Sequence, residues 1–418
     1  MPVTHGELLQ YMQQLDYAIS ENGMCFGFAC MGMQAILAGE LEIYNRRLNT
    51  LSKITPENLF HKIERVRDKV KKLGRDYNEK SLTDTERDIL SIPAFFEGVA
   101  LYFSPDNYPG LFEEKERPVT QNPELTFPRV LSKQLTIEEE IEEGKNKYKI
   151  EKINIEKIDS FSGIYNIQEL EKYFEIMHKT FNEQKCDQPI GFILSSSTHT
   201  VTVGYDHKTQ HWQWINASQS QTIREDKVIA EEIMNAFSEN GITAFSTEVY
   251  VKKTKVAQIE EYLSIFKKNE DWKKLHCVTQ EKSQKKDSKN VYWLYIAAQQ
   301  GDCEVVKLLL DAKADPNQAC ENSATPLYIA AQNGHFKVVK LLLEAKADPN
   351  QARNDGVTPL YIAAQQGDFE VVKLLLDAKA DPNQAENGDM TPLYAAAQEG
   401  HFEVVKLLLD AKADPNQA

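Results

Sequence analysis

The sequence predicts an α+β domain followed by an all-α repeat solenoid. Three observations support this fold class. Apolar residues recur at helical spacing through most of the first half of the chain, and the pattern switches toward the two-residue alternation of strands after residue 189. The last part of the chain repeats one pattern at a fixed spacing. We place the boundary at residue 288, in the polar stretch 280–290, which we interpret as an exposed connection.

Composition and charge narrow the classes of function. The 418 residues are 41% hydrophobic and 27% charged, an ordinary globular balance. The formal net charge of −15 argues against direct binding of nucleic acid or of an anionic membrane. The six cysteines are scattered without zinc spacing, which predicts a reducing compartment, no metal site and no disulfide framework. We expect no cofactor, and residues 1–10 lack the features of a cleaved signal peptide.

The domain 1–288 is predicted to begin with helices and to end with a sheet. Apolar spacing predicts helices at residues 6–20, 26–37, 56–73, 88–103 and 168–182. Alternation predicts strands at residues 190–194, 198–205, 211–216 and 244–251, with helices at 229–237 and 256–267. The composition changes between about residues 105 and 165, where we predict an insertion, and the acidic run 138–143 within it is typical of a surface helix or a mobile segment.

One cysteine has the surroundings of a nucleophile. Cys25 lies at the head of the apolar run 26–37, and we expect it in the first turn of that helix. Unpaired N–H groups and the helix dipole favour a thiolate at that position. Gly27 would let another backbone or a substrate come close. A buried structural cysteine is the alternative interpretation.

A predicted hairpin supplies a histidine and an asparagine. If its turn centres on Lys208 and Thr209, His199 lies opposite Ser218 and diagonal to Asn216. Diagonal neighbours are roughly 7–8 Å apart at Cα, which is within side-chain reach. An imidazole hydrogen-bonded to an asparagine amide is the orienting pair that a cysteine nucleophile needs.

These motifs resemble the core of papain-like cysteine peptidases, in the variant similar to the YopT and AvrPphB type of bacterial effectors. The resemblance rests on Gly-x-Cys-x-Gly-x-Ala at residues 23–29 and on a hairpin that carries His199 and then Trp-x-Trp-x-Asn at residues 212–216. It implies that Cys25 is the nucleophile, that His199 is the general base and acid, and that Asn216 holds the imidazole ring.

The resemblance also implies an oxyanion hole completed by a glutamine several residues before the cysteine. Ile19 and Ser20 occupy that region in this chain. The backbone N–H of Cys25 would then donate, together with Asn22 or Gln14 as a substitute for the glutamine.

The segment 289–418 contains four internal repeats. Thr-Pro-Leu begins at Thr325, Thr358 and Thr391, a spacing of 33 residues, and each unit continues through a glycine turn and Val-Val-Lys-Leu-Leu-Leu. This pattern is identified as the ankyrin repeat. Tyr292-Trp293 replaces Thr-Pro in the first unit, as expected where a solenoid docks on another structure. The last unit keeps its apolar residues, so we expect its outer face to be covered by further residues or by another molecule.

Ankyrin arrays bind partner proteins, and in this chain the hairpin tips vary while the helices are nearly identical. The variation predicts a protein-binding surface, with drift in exposed loops as the alternative. The predicted partner-binding residues are Glu321, Asn322, Arg353, Asn354, Asp355, Glu386, Asn387 and Asp389. The resemblance to known ankyrin substrates implies that a host asparaginyl hydroxylase could modify Asn317, Asn350 and Asn383.

The combination of the two units resembles translocated ankyrin-repeat effectors of the Legionella type. It implies a virulence protein that enters a eukaryotic host cell by type IV secretion and acts in the cytoplasm or nucleus. Three hypotheses follow: a thiol hydrolase or peptidase that cuts a host protein held by the repeats, a binding scaffold with a vestigial protease-like domain, or an acyltransferase or deamidase that uses the same three residues.

Overall fold

The computed structural model describes residues 5–15, 21–73, 81–103, 136–144, 147–216 and 219–417. In this part of the chain five helices come first, at α1 (His5–Gln14), α2 (Glu21–Ala38), α3 (Leu41–Leu51), α4 (Pro56–Leu73) and α5 (Asp84–Phe103). The next elements are β1 (Thr136–Gly144), β2 (Lys147–Asn166), α6 (Ile167–Glu183), β3 (Ile190–Ser195), β4 (Thr200–Asp206), β5 (His211–Asn216), β6 (Gln219–Ile223), α7 (Asp226–Phe237) and β7 (Ile242–Lys252). A 3₁₀ turn (Lys253–Lys255) leads to α8 (Val256–Lys268), α9 (Glu270–Leu275) and α10 (Gln280–Gln284).

Within the described residues, seven strands form one antiparallel sheet in the order β1-β2-β7-β3-β4-β5-β6. Helices α1 to α5 pack on one face of the sheet around Ile193, Ile215 and Tyr250. Helices α6 to α9 pack on the other face around a second core that contains Trp212 and Trp214. The mixed helical and antiparallel class predicted from the sequence is therefore present, with the sheet between two helical layers.

Helix α2 crosses the middle of the sheet at close range. A Cβ atom placed on Gly204 of β4 would lie 2.6 Å from Ile36, and one on Gly191 of β3 would lie 2.8 Å from Met33. The Thr202 hydroxyl donates to the backbone carbonyl of Ala29 at 2.6 Å. Two glycines and one buried hydrogen bond thus fix the helix that carries Cys25 against β3 and β4, the latter being the strand that follows His199.

The register of the β4–β5 hairpin is the one predicted. Asp206 pairs with His211 and Val203 pairs with Trp214, so the turn centres on Lys208 and Thr209. The opposite neighbour predicted for His199, Ser218, lies outside the described residues.

The prediction of a surface helix or mobile segment at the acidic run 138–143 was wrong. Strands β1 and β2 form a hairpin there, and β2 continues as a partner of β7 from Ile155 to Asn166. The far end of the predicted insertion is therefore part of the main sheet, while its residues 105–135 lie outside the described chain. Charged residues are common on outer strands because they discourage pairing with another sheet, and here they obscured the alternation.

Eight helices in pairs follow. They are α11 (Trp293–Gln300), α12 (Cys303–Asp311), α13 (Pro326–Gln332), α14 (Phe336–Glu344), α15 (Pro359–Gln365), α16 (Phe369–Asp377), α17 (Pro392–Gln398) and α18 (Phe402–Asp410). The first helix of each of the last three pairs begins with a proline, and the preceding threonine accepts a hydrogen bond from the backbone N–H three residues later. The outer face of the last pair leaves the Phe402 side chain 84% exposed.

The first repeat docks on the sheet through its atypical residues. Trp293 is fully buried, shares a core with Ile164 of β2 and Ala244 of β7, and donates from Nε1 to the Ser162 hydroxyl at 3.0 Å. A threonine-proline pair could not fill this space, so the departure from the repeat pattern has a packing reason.

The connection 280–290 is packed, not exposed as predicted. Lys282 is buried, forms an ion pair with Glu169 at 2.9 Å and donates to the Leu275 carbonyl at 2.7 Å. Asp287 is buried and accepts from the backbone N–H groups of Lys289 and Val291. The polar residues that suggested a linker are satisfied by partners within the fold.

None of the described helices has the length and apolar content needed to cross a bilayer.

Candidate active site

The three predicted catalytic residues lie where α2 meets one end of β4 and β5. Cys25 is on α2, His199 directly precedes β4, and Asn216 ends β5. All three are partly exposed. This end of the sheet therefore presents a thiol, an imidazole and an amide toward solvent.

A hydrogen bond joins His199 to Asn216. The distance from His199 Nε2 to Asn216 Oδ1 is 2.8 Å. Because an amide oxygen only accepts, Nε2 carries the proton and the neutral ring has its lone pair on Nδ1. The Phe237 ring packs against the imidazole edge-on, with 6.1 Å between ring centroids. The imidazole is thus held in one tautomer and one orientation.

A tight turn fixes the backbone of the histidine. The Ser196 hydroxyl accepts from the His199 backbone N–H at 3.1 Å, and the Ser196 backbone N–H donates to the His199 carbonyl at 2.9 Å. The position of the imidazole is therefore set by this turn on one side and by Asn216 on the other.

The Cys25 sulfur lies against the start of β4. The backbone N–H of Thr200, the residue after His199, is close enough to the sulfur to lower the thiol pKa. Burial raises the pKa of the Cys25 thiol, and hydrogen bonds from the backbone N–H groups of Cys25 and Thr200 act in the opposite direction. The resting thiol is consequently protonated at neutral pH, so attack on a carbonyl needs a base to take its proton.

The helix around Cys25 differs from the prediction. Helix α2 begins at Glu21, so Cys25 is its fifth residue and lies beyond the first turn. The unpaired N–H groups at the helix start are therefore not centred on the sulfur. At Gly27 the α5 backbone approaches α2, and the position does not face a substrate. A Cβ atom there would lie 2.6 Å from the Val99 carbonyl oxygen of α5.

The groups considered for the oxyanion hole are only partly described. Ile19, Ser20 and the side chain of Asn22 lie outside the described residues, and Gln14 is exposed at the end of α1.

Two parts of the site were not predicted from the sequence. The aromatic ring beside His199 belongs to Phe237 of α7. This contact depends on how α7 packs on the sheet, which the sequence does not show. The Lys289 ammonium donates to the Thr198 hydroxyl at 2.8 Å, which links the start of the repeats to the turn that holds His199. No motif in the sequence signals either contact.

The hairpin tips form a row that starts at this turn. Glu321 N–H donates to the Lys289 carbonyl at 3.0 Å, and Asn354 N–H donates to the Asn322 carbonyl at 3.2 Å. The next tip continues the row, since Asn387 N–H donates to the Asp355 carbonyl at 2.9 Å. The remaining tip residues named from the sequence include Arg353 and Glu386, which line a groove beside the row, and Asp389, which has a left-handed backbone with φ of 64°.

The three asparagines considered for hydroxylation bridge neighbouring repeats. The Oδ1 atoms of Asn317, Asn350 and Asn383 each accept from a backbone N–H of the next repeat at 2.7 Å. Their equivalent bonds show that these side chains have a structural role in stacking the loops.

Among the described residues, no group of three or more His, Cys, Asp or Glu side chains is arranged to hold a metal ion.

Comparison with protein-family models matches ankyrin repeats at residues 265–353, 294–386 and 347–418. The C-terminal part of this chain consists of ankyrin repeats. Such repeats are protein-binding modules, so this part has the properties of a scaffold for protein partners. No curated protein matches the chain. The papain-like assignment of the α+β domain stays a prediction.

Proposed function

We propose that this protein is a papain-like cysteine hydrolase, most simply a peptidase, whose ankyrin repeats hold the protein that it cuts. The observation that carries the proposal is the 2.8 Å hydrogen bond between His199 Nε2 and Asn216 Oδ1. The residue after His199, Thr200, acts through its backbone N–H on the Cys25 thiol. The bond selects the tautomer in which His199 Nδ1 can accept a proton.

The chemistry follows from that tautomer. His199 Nδ1 takes the proton of the Cys25 thiol as the sulfur attacks a substrate carbonyl carbon, and the imidazolium then returns the proton to the leaving amine. Water hydrolyses the resulting thioester with the same imidazole as base. Asn216, being neutral, orients the ring without neutralising the imidazolium charge.

In this proposal the repeats hold a bound protein near this site. The row of tips begins at Lys289, which contacts the residue before His199. In this proposal a partner held along the row has one end near the turn that carries His199. On the resemblance to translocated ankyrin effectors, we also propose that the target is a host protein and that the enzyme acts in the cytoplasm or nucleus of a eukaryotic cell, after secretion.

The test compares wild-type protein with Cys25→Ala on a complex mixture of folded eukaryotic proteins, read by mass spectrometry. A peptidase creates new N-termini that are absent with Cys25→Ala. A deamidase converts glutamine to glutamate, and an acyltransferase adds an acyl group; either result would replace the peptidase assignment. Absence of every Cys25-dependent product would contradict the hydrolase.

A binding scaffold with an inactive α+β domain is the second candidate. The observation in its favour is that burial raises the pKa of the Cys25 thiol. In that case Cys25→Ala keeps every effect of the protein, whereas changes in the repeat tips remove them.

A further inference from the structure

The repeats contain a groove that is lined by tyrosine, amide and charged side chains. Its volume is about 540 Å³, and it lies between the second, third and fourth repeats. The lining residues used in the following argument are Tyr328, Arg353, Tyr361, Gln366, Glu386 and Glu399.

One end of the groove already holds an arginine of the chain itself. The Arg353 guanidinium lies over the Tyr328 ring, 5.2 Å from its centroid, and donates to the Tyr328 hydroxyl at 3.1 Å. It also forms an ion pair with Asp355 at 2.8 Å. A tyrosine face and a carboxylate together make a favourable site for a guanidinium.

The next repeat keeps the tyrosine but not the cation. Tyr361 and Glu386 occupy the positions that Tyr328 and Arg353 occupy one repeat earlier. Glu399 also lines this part of the groove. Burial raises the pKa of Tyr361, and the charges of nearby carboxylates, Glu386 foremost, add to the increase.

The charges of the groove do not balance. Among the described residues that line it, Arg353 is the one cationic side chain, against the carboxylates of Asp355, Glu386 and Glu399. Since Arg353 is already paired with Asp355, the two glutamates beside Tyr361 leave an excess of negative charge. The field in this part of the groove attracts a cation.

A buried amide points to the same kind of ligand independently. Gln366 lines the groove and is only 5% exposed. Its Oε1 atom is buried and has no hydrogen-bond partner in the described structure. Buried acceptors are normally paired, and a donor on a molecule bound in the groove would satisfy this oxygen.

We propose that the groove binds an arginine side chain from an extended basic segment of the partner protein. The guanidinium stacks on Tyr361 as Arg353 stacks on Tyr328, and it donates to Glu386, Glu399 and the Gln366 oxygen. A planar guanidinium with five donors serves all of these groups at once, which an ammonium cannot do in the same geometry. The proposal rests on the proposed function in one respect, that the repeats bind the protein on which the enzyme acts.

The probe is a short fluorescent peptide of alternating alanine and arginine, and its control replaces each arginine by the neutral isostere citrulline. Binding to the full-length protein is measured by fluorescence anisotropy. We compare Glu386→Gln/Glu399→Gln with the charge-matched Glu370→Gln/Glu403→Gln, whose residues are exposed on the outer helices. Glutamine at position 386 keeps the Oε1 atom that accepts from the backbone N–H groups of Gly388 and Met390, so the tip is preserved.

The groove variant is expected to weaken binding of the arginine peptide about tenfold or more, whereas the outer-helix variant changes it less than about twofold. The citrulline peptide should bind neither protein. Equal weakening by both variants would show that only the net charge of the protein attracts the peptide, and would overturn the proposal. Binding of the citrulline peptide as tightly as the arginine peptide would do the same.

A second variant fills the site from within. Glu386→Arg gives the third repeat the residue that the second repeat has at Arg353. The new guanidinium is expected to stack on the Tyr361 ring and to block binding of the peptide. Undiminished binding by this variant would contradict the proposed location. Cys25→Ala should bind the peptide like the wild type, so a failure of the groove proposal and a failure of the hydrolase proposal give different results.

Discussion

The bond from His199 to Asn216 decides which ring nitrogen can act as a base. Because the Nε2–H group donates to the amide oxygen, the lone pair of the neutral ring is on Nδ1. The turn at Ser196 and the ring of Phe237 restrict the same imidazole from other directions. The catalytic proposal therefore depends on the orientation of the imidazole. The thiol is not activated at rest, because burial raises the pKa of Cys25.

This reasoning predicts the effect of removing the orienting amide. Asn216→Ala should lower the rate of Cys25-dependent hydrolysis roughly ten- to a hundredfold, because the imidazole can then adopt the wrong tautomer. His199→Ala should lower it by roughly 10² to 10⁴. Rates are measured on the substrate found by mass spectrometry, with circular dichroism as a check of folding. An unchanged rate in Asn216→Ala would show that the hydrogen bond has only a structural role.

A second histidine gives stability that depends on pH. The hydrogen bond to Asp226 at 2.8 Å raises the pKa of His178 above its ordinary value, although burial opposes the shift. A raised folded-state pKa means that the folded state binds the proton more tightly than the unfolded state. The stabilisation is fully present below the unfolded pKa of about 6.5 and is lost as the pH rises through the folded pKa.

His178→Gln should therefore cost more free energy of unfolding at acidic pH than at alkaline pH. Urea unfolding of wild type and His178→Gln, at one pH below and one pH above the titration of His178, measures the free-energy cost at each pH. In the Asp226→Asn background the cost of His178→Gln should no longer be greater at acidic pH, because the carboxylate that favours the protonated ring is gone. A cost that grows with rising pH would contradict the assignment.

At the scale of elements, α2 is held between α5 and the sheet by glycines at the closest contacts. Gly27 faces the backbone of Val99 on α5, and Gly204 on β4 faces Ile36 of α2. Because Cys25 lies on this helix, displacement of α2 also moves the thiol away from β4.

Gly27→Ala should destabilise the protein by about 1–3 kcal/mol, since the new methyl group would lie 2.6 Å from a backbone oxygen that cannot rotate away. Gly6→Ala is the control, because nothing lies within 4 Å of a Cβ atom at that position on α1. The control should be neutral or stabilising by about 0.5–1 kcal/mol. Chemical denaturation measures both, and equal effects would show that α2 and α5 have room to separate.

The sequence predicted those elements whose pattern is local. The β4–β5 register followed from the turn at Lys208 and Thr209, and α6 was predicted to within one residue at each end. The β1–β2 hairpin was missed because charged residues obscure its alternation. The start of α2 at Glu21 was missed because the apolar run used to place the helix begins only at Phe26.

At the scale of the whole molecule, the two units are joined by a buried interface. Trp293 inserts between the repeats and the sheet, and the 280–290 segment packs through Lys282 and Asp287. The sequence showed that the first repeat is atypical, but not that the connection is buried, because its ion pair with Glu169 joins distant parts of the chain. The row of tips is therefore held at one position relative to His199.

Trp293→Ala should destabilise the junction by about 3–5 kcal/mol. It removes apolar contacts and the hydrogen bond that Trp293 donates to the Ser162 hydroxyl. Trp293→Phe should cost less because it keeps most of the packing. Phe402→Ala, at a side chain that is 84% exposed, should change stability by less than about 0.5 kcal/mol. Thermal unfolding and limited proteolysis measure these effects. A Trp293→Ala protein as stable as the control would mean that the two units are not coupled through this residue.

The central claim is that Cys25 and His199 form a working nucleophile and base, and labelling by an epoxide inhibitor directed at papain-like enzymes tests it most directly. The account predicts a single covalent adduct on Cys25, found by mass spectrometry of the digested protein. The adduct should persist in Cys277→Ala, which removes an exposed thiol, and should be lost in His199→Ala. Labelling of Cys25 that is no faster than that of Cys277, or that is unchanged in His199→Ala, would contradict the account.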